Sequence, residues 1–122
     1  MEWALKCLVD SLVMLAAPAE EQIAWCRRHG WHEDELALNL DSAMGILWMV
    51  EEQAPGLLSP WLHELLQRMD QRLDGMSGHV NAGKWTPAGL AADPDWEELR
   101  GLSGQALAEL TGLVRIPAAG AL

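Results

Sequence analysis

The stretch LSPWLHELLQRMDQRLDG, residues 58–75, decides the fold. Ser59 is a helix N-cap residue, and Pro60 behind it suits the first helical position, where a missing N–H costs nothing. Glu64 supports the start. Leu62, Leu65, Leu66, Met69 and Leu73 then recur at helical spacing, so one apolar stripe faces a core, and Gly75 closes the element.

Working outward toward the C-terminus, residues 75–92 carry four glycines and a proline. They read as a long connection with one short turn starting at Thr86-Pro87. Asp93-Pro94 repeats the cap-plus-proline device, and Asp95, Glu97 and Glu98 load the first turn with the charge that a helix start favours. Trp96, Leu99 and Leu102 form its apolar side. Gly101 and Gly104 are expected to bend or break this helix, with Ser103 capping a last segment that carries Leu107, Leu110 and Leu113.

Toward the N-terminus, the spacing of Leu36, Leu40, Ala43, Leu47 and Val50 predicts one long helix over Glu33–Gln53, ended by Ala54-Pro55-Gly56. A shorter helix precedes it, with Pro18 at its first position and Glu20 and Glu21 at its positive end. Arg27, Arg28 and His29 stand at its negative end, and Gly30 is its C-terminal cap. The first helix runs over Glu2–Ala16 on the seam Leu5, Leu8, Leu12 and Leu15. Cys7, Val9, Val13 and Met14 make it apolar on more than one side, as a central helix would be. No segment alternates like a strand and no fixed-period repeat is present. The expected fold is therefore all-α: a compact bundle of about five to six short helices with one long Gly-rich connection. A single domain is expected over 1–116, with 117–122 as a frayed tail.

The 122 residues are 50% apolar and carry a net charge of −10. That apolar content is enough to build a core despite the charge. The charge disfavours nucleic acid and anionic membrane surfaces, both of which need Lys and Arg. It leaves a basic protein partner, or plain solubility. Ala17-Pro18-Ala19 resembles a leader cleavage site, but Glu2, Asp10 and Ser11 interrupt what should be a positive start and a clean apolar run. No stretch reaches the roughly 18 charge-free apolar residues of a membrane span. The expected location is cytoplasmic, and isolated Cys7 and Cys26 fit reduced thiols there.

Candidate chemistry is sparse. Cys26, His29 and His32 sit three residues apart and are followed by Glu33, Asp34 and Glu35, but zinc needs a fourth ligand and Gly30 separates the histidines. No nucleophile elbow, phosphate-cradling loop or paired zinc histidines occur, so no enzyme, metal site or cofactor is expected. The acidity is more telling. Between His29 and Gln67 stand Glu33, Asp34, Glu35, Asp41, Glu51, Glu52 and Glu64 without one Lys or Arg, a balance of −7. Opposite-charge pairs would have stabilised such helices, so their omission suggests a face for a basic partner. Of the seven tryptophans, Trp3, Trp25, Trp48, Trp61 and Trp96 are expected to pack on helices, Trp31 sits in a turn, and Trp85 lies in the Gly-rich connection. Trp85 reads first as the plug of that connection and second as an interface anchor.

Met76-Ser77-Gly78, Asn81, Trp85-Thr86, Asp93-Pro94 with Trp96, Leu99 and Arg100, and also Leu8-Val9-Asp10 and Pro18-Ala19-Glu20-Glu21-Gln22, carry a resemblance to small uncharacterised helical proteins common in bacterial genomes. In size and acidity the chain is similar to immunity proteins, the small cytoplasmic inhibitors of bacterial toxins. The resemblance implies occlusion of a basic toxin, a nuclease fitting best, and transfers no residue role. On the residues themselves, the expected partner contacts are Glu33, Asp34, Glu35, Asp41, Glu51, Glu52 and Trp85. Two alternatives stand beside this reading: a homodimer formed through the apolar excess of the first and third helices, and a metal-dependent enzyme.

Overall fold

A computed structural model describes residues 2–114, with side chains to residue 111. Its elements in order are α1 (Glu2–Ala16), α2 (Ala19–His29), α3 (Glu35–Gly45), α4 (Trp48–Gln53), α5 (Pro60–Gly75), a 3-10 helix (His79–Trp85), α6 (Pro87–Ala92) and α7 (Pro94–Val114). Among the described residues there is no strand. No helix there is long and apolar enough to cross a membrane.

The buried faces follow the apolar stripes. Helices α1 and α5 both pack on α7, and the buried cluster they share holds Leu5, Leu8, Leu12 and Leu15 of α1, Leu62, Leu65, Leu66, Met69 and Leu73 of α5, and Trp96, Leu99, Ala106 and Leu110 of α7. Helix α3 rests on α1 through Leu36, Leu40 and Ala43. Helix α6 is held among the 3-10 helix, α2 and α7.

Three helix starts use the same chemistry. The Ser59 hydroxyl accepts the Leu62 N–H (3.0 Å), the Thr86 hydroxyl accepts the Gly89 N–H (3.0 Å), and the Asp93 carboxylate accepts the Asp95 N–H (2.9 Å), each ahead of a proline. At the end of α2, Gly30 adopts φ 68°, where a Cβ would be strained. The Gly30 and Trp31 N–H groups return to the Arg27 and Cys26 carbonyls at 3.2 and 2.9 Å, a Schellman motif.

Several expectations change. Among the described residues there are seven α-helices, because the stripe over residues 33–53 is cut after Gly45 by a tighter turn in which Ile46 and Leu47 bond to carbonyls three residues back. Leu47 and Val50 stay buried across the cut, which is why periodicity alone misses it. The Gly-rich connection is mostly occupied by the 3-10 helix and α6. Pro18 takes the N-cap position, with ψ 152°, one residue outside α2. Helix α7 runs unbroken through Gly101 and Gly104. Burial of Leu99, Leu102, Ala106 and Leu110 outweighs the roughly 1 kcal/mol that each glycine costs. Ser103 caps nothing. It is buried mid-helix, and its hydroxyl donates back to the Leu99 carbonyl at 2.7 Å. Residues 117–122, the expected tail, lie outside the described residues.

One polar cluster is buried where α1, α2, α6 and α7 converge. Gln22 is wholly buried; its amide nitrogen donates to the Met14 and Leu15 carbonyls, both at 3.1 Å. Its amide oxygen accepts two bonds from Arg100, at 3.1 and 3.0 Å, and Arg100 also donates to the Leu90 carbonyl. Burial pushes the Arg100 guanidinium below its ordinary pKa.

Two substitutions test this packing. A Cβ on Gly89 would collide with the backbone carbonyls of Gly83 and Lys84. Gly89→Ala should therefore cost about 1–3 kcal/mol of overpacking, read as a lowered Tm. Gln22→Leu keeps the volume, leaves the Leu15 carbonyl without its donor and takes from the Arg100 guanidinium all but its bond to Leu90. Chemical denaturation should show a loss of about 1–3 kcal/mol or more; an unchanged midpoint would refute the assigned role.

Candidate functional site

Because α3 rests on α1 and α5 rests on α7, a groove of about 200 Å³ remains between α3 and α5. Leu40, Met44, Leu73 and Trp85 are among its lining residues. Asp41 of α3 and Asp70 and Asp74 of α5 stand around it. The placement is dictated by the stripes. Each aspartate follows a buried residue (Leu40, Met69, Leu73), so it sits about 100° round the helix, at the edge of the core. Leu38, also at the groove, is 49% exposed.

Among the described residues no basic side chain lines the groove, and no ion pair involves Asp41, Asp70 or Asp74. Local physics disfavours two of them. Asp70 and Asp74 are a like-charge pair at i,i+4, which costs an isolated helix about 0.2–0.5 kcal/mol. Asp74 also lies in the last turn of α5, where the helix dipole favours a cation. Stability of α5 does not explain these carboxylates.

Trp85 is set rigidly. Its indole N–H donates to the Met76 carbonyl at 2.7 Å. Its ring meets that of Trp96 edge-on, with centroids 5.2 Å apart and planes at 83°. Trp96 is fully buried and donates to the Lys84 carbonyl at 2.7 Å. Lys84 in turn holds Asp93 and Asp95 at 3.0 and 2.8 Å, tying the 3-10 helix to the start of α7. The Asp93 carboxyl is depressed below its usual pKa, first by the Asp95 N–H and then by Lys84. Lys84 is raised by its bonds to Asp95 and Asp93. Trp85 thus anchors the connection and walls the groove at once.

The sequence-based contact residues do not form one face. Asp41 and Trp85 meet at the groove. Glu33, Asp34 and Glu35 cluster at the start of α3, where His32 lies 3.8 Å from the Glu33 carboxylate and its Nδ1 accepts the Asp34 N–H at 3.1 Å. Glu51 pairs with His63 (2.7 Å), and Glu52 is exposed on α4, beyond the cut. Asp70 and Asp74 escape sequence reasoning because Arg68 and Arg72 make their segment look balanced. Those arginines instead serve Glu64, Asp95 and Glu98. The like-charge spacing of Asp70 and Asp74 is the signal that could have found them.

The tryptophans also depart from expectation: Trp96 is core and Trp25 half-buried, but Trp3 and Trp48 are each 62% exposed. Cys26, His29 and His32 are engaged separately. The Cys26 thiol is buried and pushed up in pKa, His29 stacks on Trp31 at 4.3 Å, and His32 binds the α3 start. Among the described residues no three His, Cys, Asp or Glu side chains gather to hold a metal. Both cysteines are free.

Comparison with known proteins gives no match, whether to a family model, a curated protein or a solved structure.

The Lys84–Asp93–Asp95 cluster has a pH signature. A depressed carboxyl stabilises the fold above its unfolded pKa and loses that contribution as pH falls through the folded value. Asp93→Asn, which keeps the cap, should therefore lower Tm at neutral pH, with the gap closing in acid. A gap independent of pH would refute the Lys84–Asp93 contribution. Trp85→Phe should cost about 1 kcal/mol, the net worth of its hydrogen bond, in a denaturation experiment.

Proposed function

We propose that the chain is a protein-binding module whose groove between α3 and α5 receives a basic segment of a protein partner. In its most concrete form it is an immunity-type inhibitor that occludes a basic toxin. The observation that carries this reading is the set of three aspartates, without ion-pair partners among the described residues, around an apolar groove. Two of them stand at positions where α5 gains nothing from them. A lysine or arginine suits such a place: its methylene stem lies on Leu40, Met44 and Leu73, and its charged head reaches the carboxylates. The Trp85 ring offers a face to the same cation. Leu38 supplies an exposed apolar contact at the rim.

Glu33, Asp34, Glu35 and Glu52 lie outside the groove and act at longer range. Together with the net charge of −10 they draw a basic partner in and speed its encounter. A nuclease fits this chemistry best, since a groove shaped for a polyanion is already cationic, and covering it with carboxylates blocks the substrate directly.

The test is binding to a basic protein encoded beside this chain's gene, measured at low and high salt. Affinity should fall with salt, and Asp41→Asn and Asp74→Asn should each weaken it about tenfold, equivalent to about 1.4 kcal/mol. The same Asp74→Asn should leave Tm unchanged or raise it, because it removes a like-charge pair and an anion at a helix C-terminus. Affinity indifferent to salt and to both substitutions would remove the groove from the interface.

A further inference from the structure

We propose that the side chain taken up between α3 and α5 is an arginine rather than a lysine, its guanidinium spanning Asp70 and Asp74 beside the Trp85 indole. The choice rests on that groove being the site of a basic partner, and it narrows the partner to one that presents an arginine there. Asp70 and Asp74 are exposed carboxylates one turn apart on α5, without an ion-pair partner among the described residues. Side chains at that spacing have Cβ atoms about 5–6 Å apart, so one cation must reach two separate anions.

The chain itself shows which cation does this. Asp95 and Glu98 also stand one turn apart, on α7, and Arg72 spans them with two different nitrogens. Its Nη1 lies 3.4 Å from Asp95 and its Nη2 2.7 Å from Glu98. Lysine serves where two carboxylates converge on one point: the single Nζ of Lys84 lies 3.0 Å from Asp93 and 2.8 Å from Asp95, two residues further along. The indole has an internal counterpart as well. On α5 the Arg68 Cζ sits over the Trp61 ring, 5.3 Å from its centroid, while Nη2 bonds Glu64 at 2.8 Å. An indole and a carboxylate thus hold one guanidinium together. The groove gathers the same parts from separate elements: Trp85 of the 3-10 helix and the two aspartates of α5, among Leu40, Met44 and Leu73. A guanidinium is planar and less strongly hydrated than an ammonium, so it loses less on entering an apolar-lined groove beside an indole.

Hexa-arginine and hexalysine peptides, equal in charge and length, separate this preference from general attraction to a chain of charge −10. Fluorescence anisotropy at one fixed salt concentration should show hexa-arginine binding about tenfold more tightly to the unaltered chain. Asp70→Asn and Asp74→Asn should each bring that ratio close to one, with helical circular dichroism unchanged, because a bridge needs both anchors. Glu52→Gln, on α4 outside the groove, should leave the ratio as it was. Equal binding of the two peptides, both weakened by Asp70→Asn, overturns the choice of arginine and leaves the groove as the site of a basic partner. An arginine preference that survives both aspartate substitutions overturns the choice as well. Binding of both peptides indifferent to Asp41→Asn, Asp70→Asn and Asp74→Asn alike removes the groove itself as the site.

Discussion

Gln22 sits where four helices meet, and its amide is fully used: two donations to the Met14 and Leu15 carbonyls, two acceptances from Arg100. Carbonyls at a helix end have no partner within the helix, and a buried one left unpaired is costly. One side chain therefore caps the end of α1 beside the Ala17 N–H, which also reaches the Met14 carbonyl at 3.3 Å, while Arg100 joins α7 to Gln22 and ties in α6 through Leu90. The consequence reaches the surface. Helix α3 rests on α1 and α5 on α7, so the groove between α3 and α5 depends on how α1 and α7 pack, and the cluster bonds those two helices together through Gln22.

The groove beside Trp85 gathers carboxylates, two of which work against their own helix. Residues that cost local stability without a structural return are where function is most economically sought. On that criterion Asp70 and Asp74 say more than the longer acidic run over residues 33–52, whose first members complement a helix start and whose Glu51 has His63 as partner.

Much of the fold is legible in the sequence because caps are local. Ser59-Pro60, Thr86-Pro87, Asp93-Pro94 and Gly30 each mark a helix end through bonds spanning a few residues. The failures have one physical origin, which is that tertiary burial overrides local preference. Gly101 and Gly104 remain helical because α1 and α5 bury the apolar face of α7. The turn at Ile46 is hidden because the stripe continues across it. The Gln22–Arg100 bonds link residues 78 apart, which no local pattern encodes. For the candidate site, Asp41 and Trp85 can be named from sequence, but nothing local says that they share a groove with α5.

Partner binding beside Trp85, as proposed, is read directly in one spectrum from the indole N–H resonances of the seven tryptophans. On titration with the basic partner, the Trp85 resonance should shift while that of Trp31, outside the groove, stays in place. A shift at Trp31 with Trp85 unmoved would contradict the account.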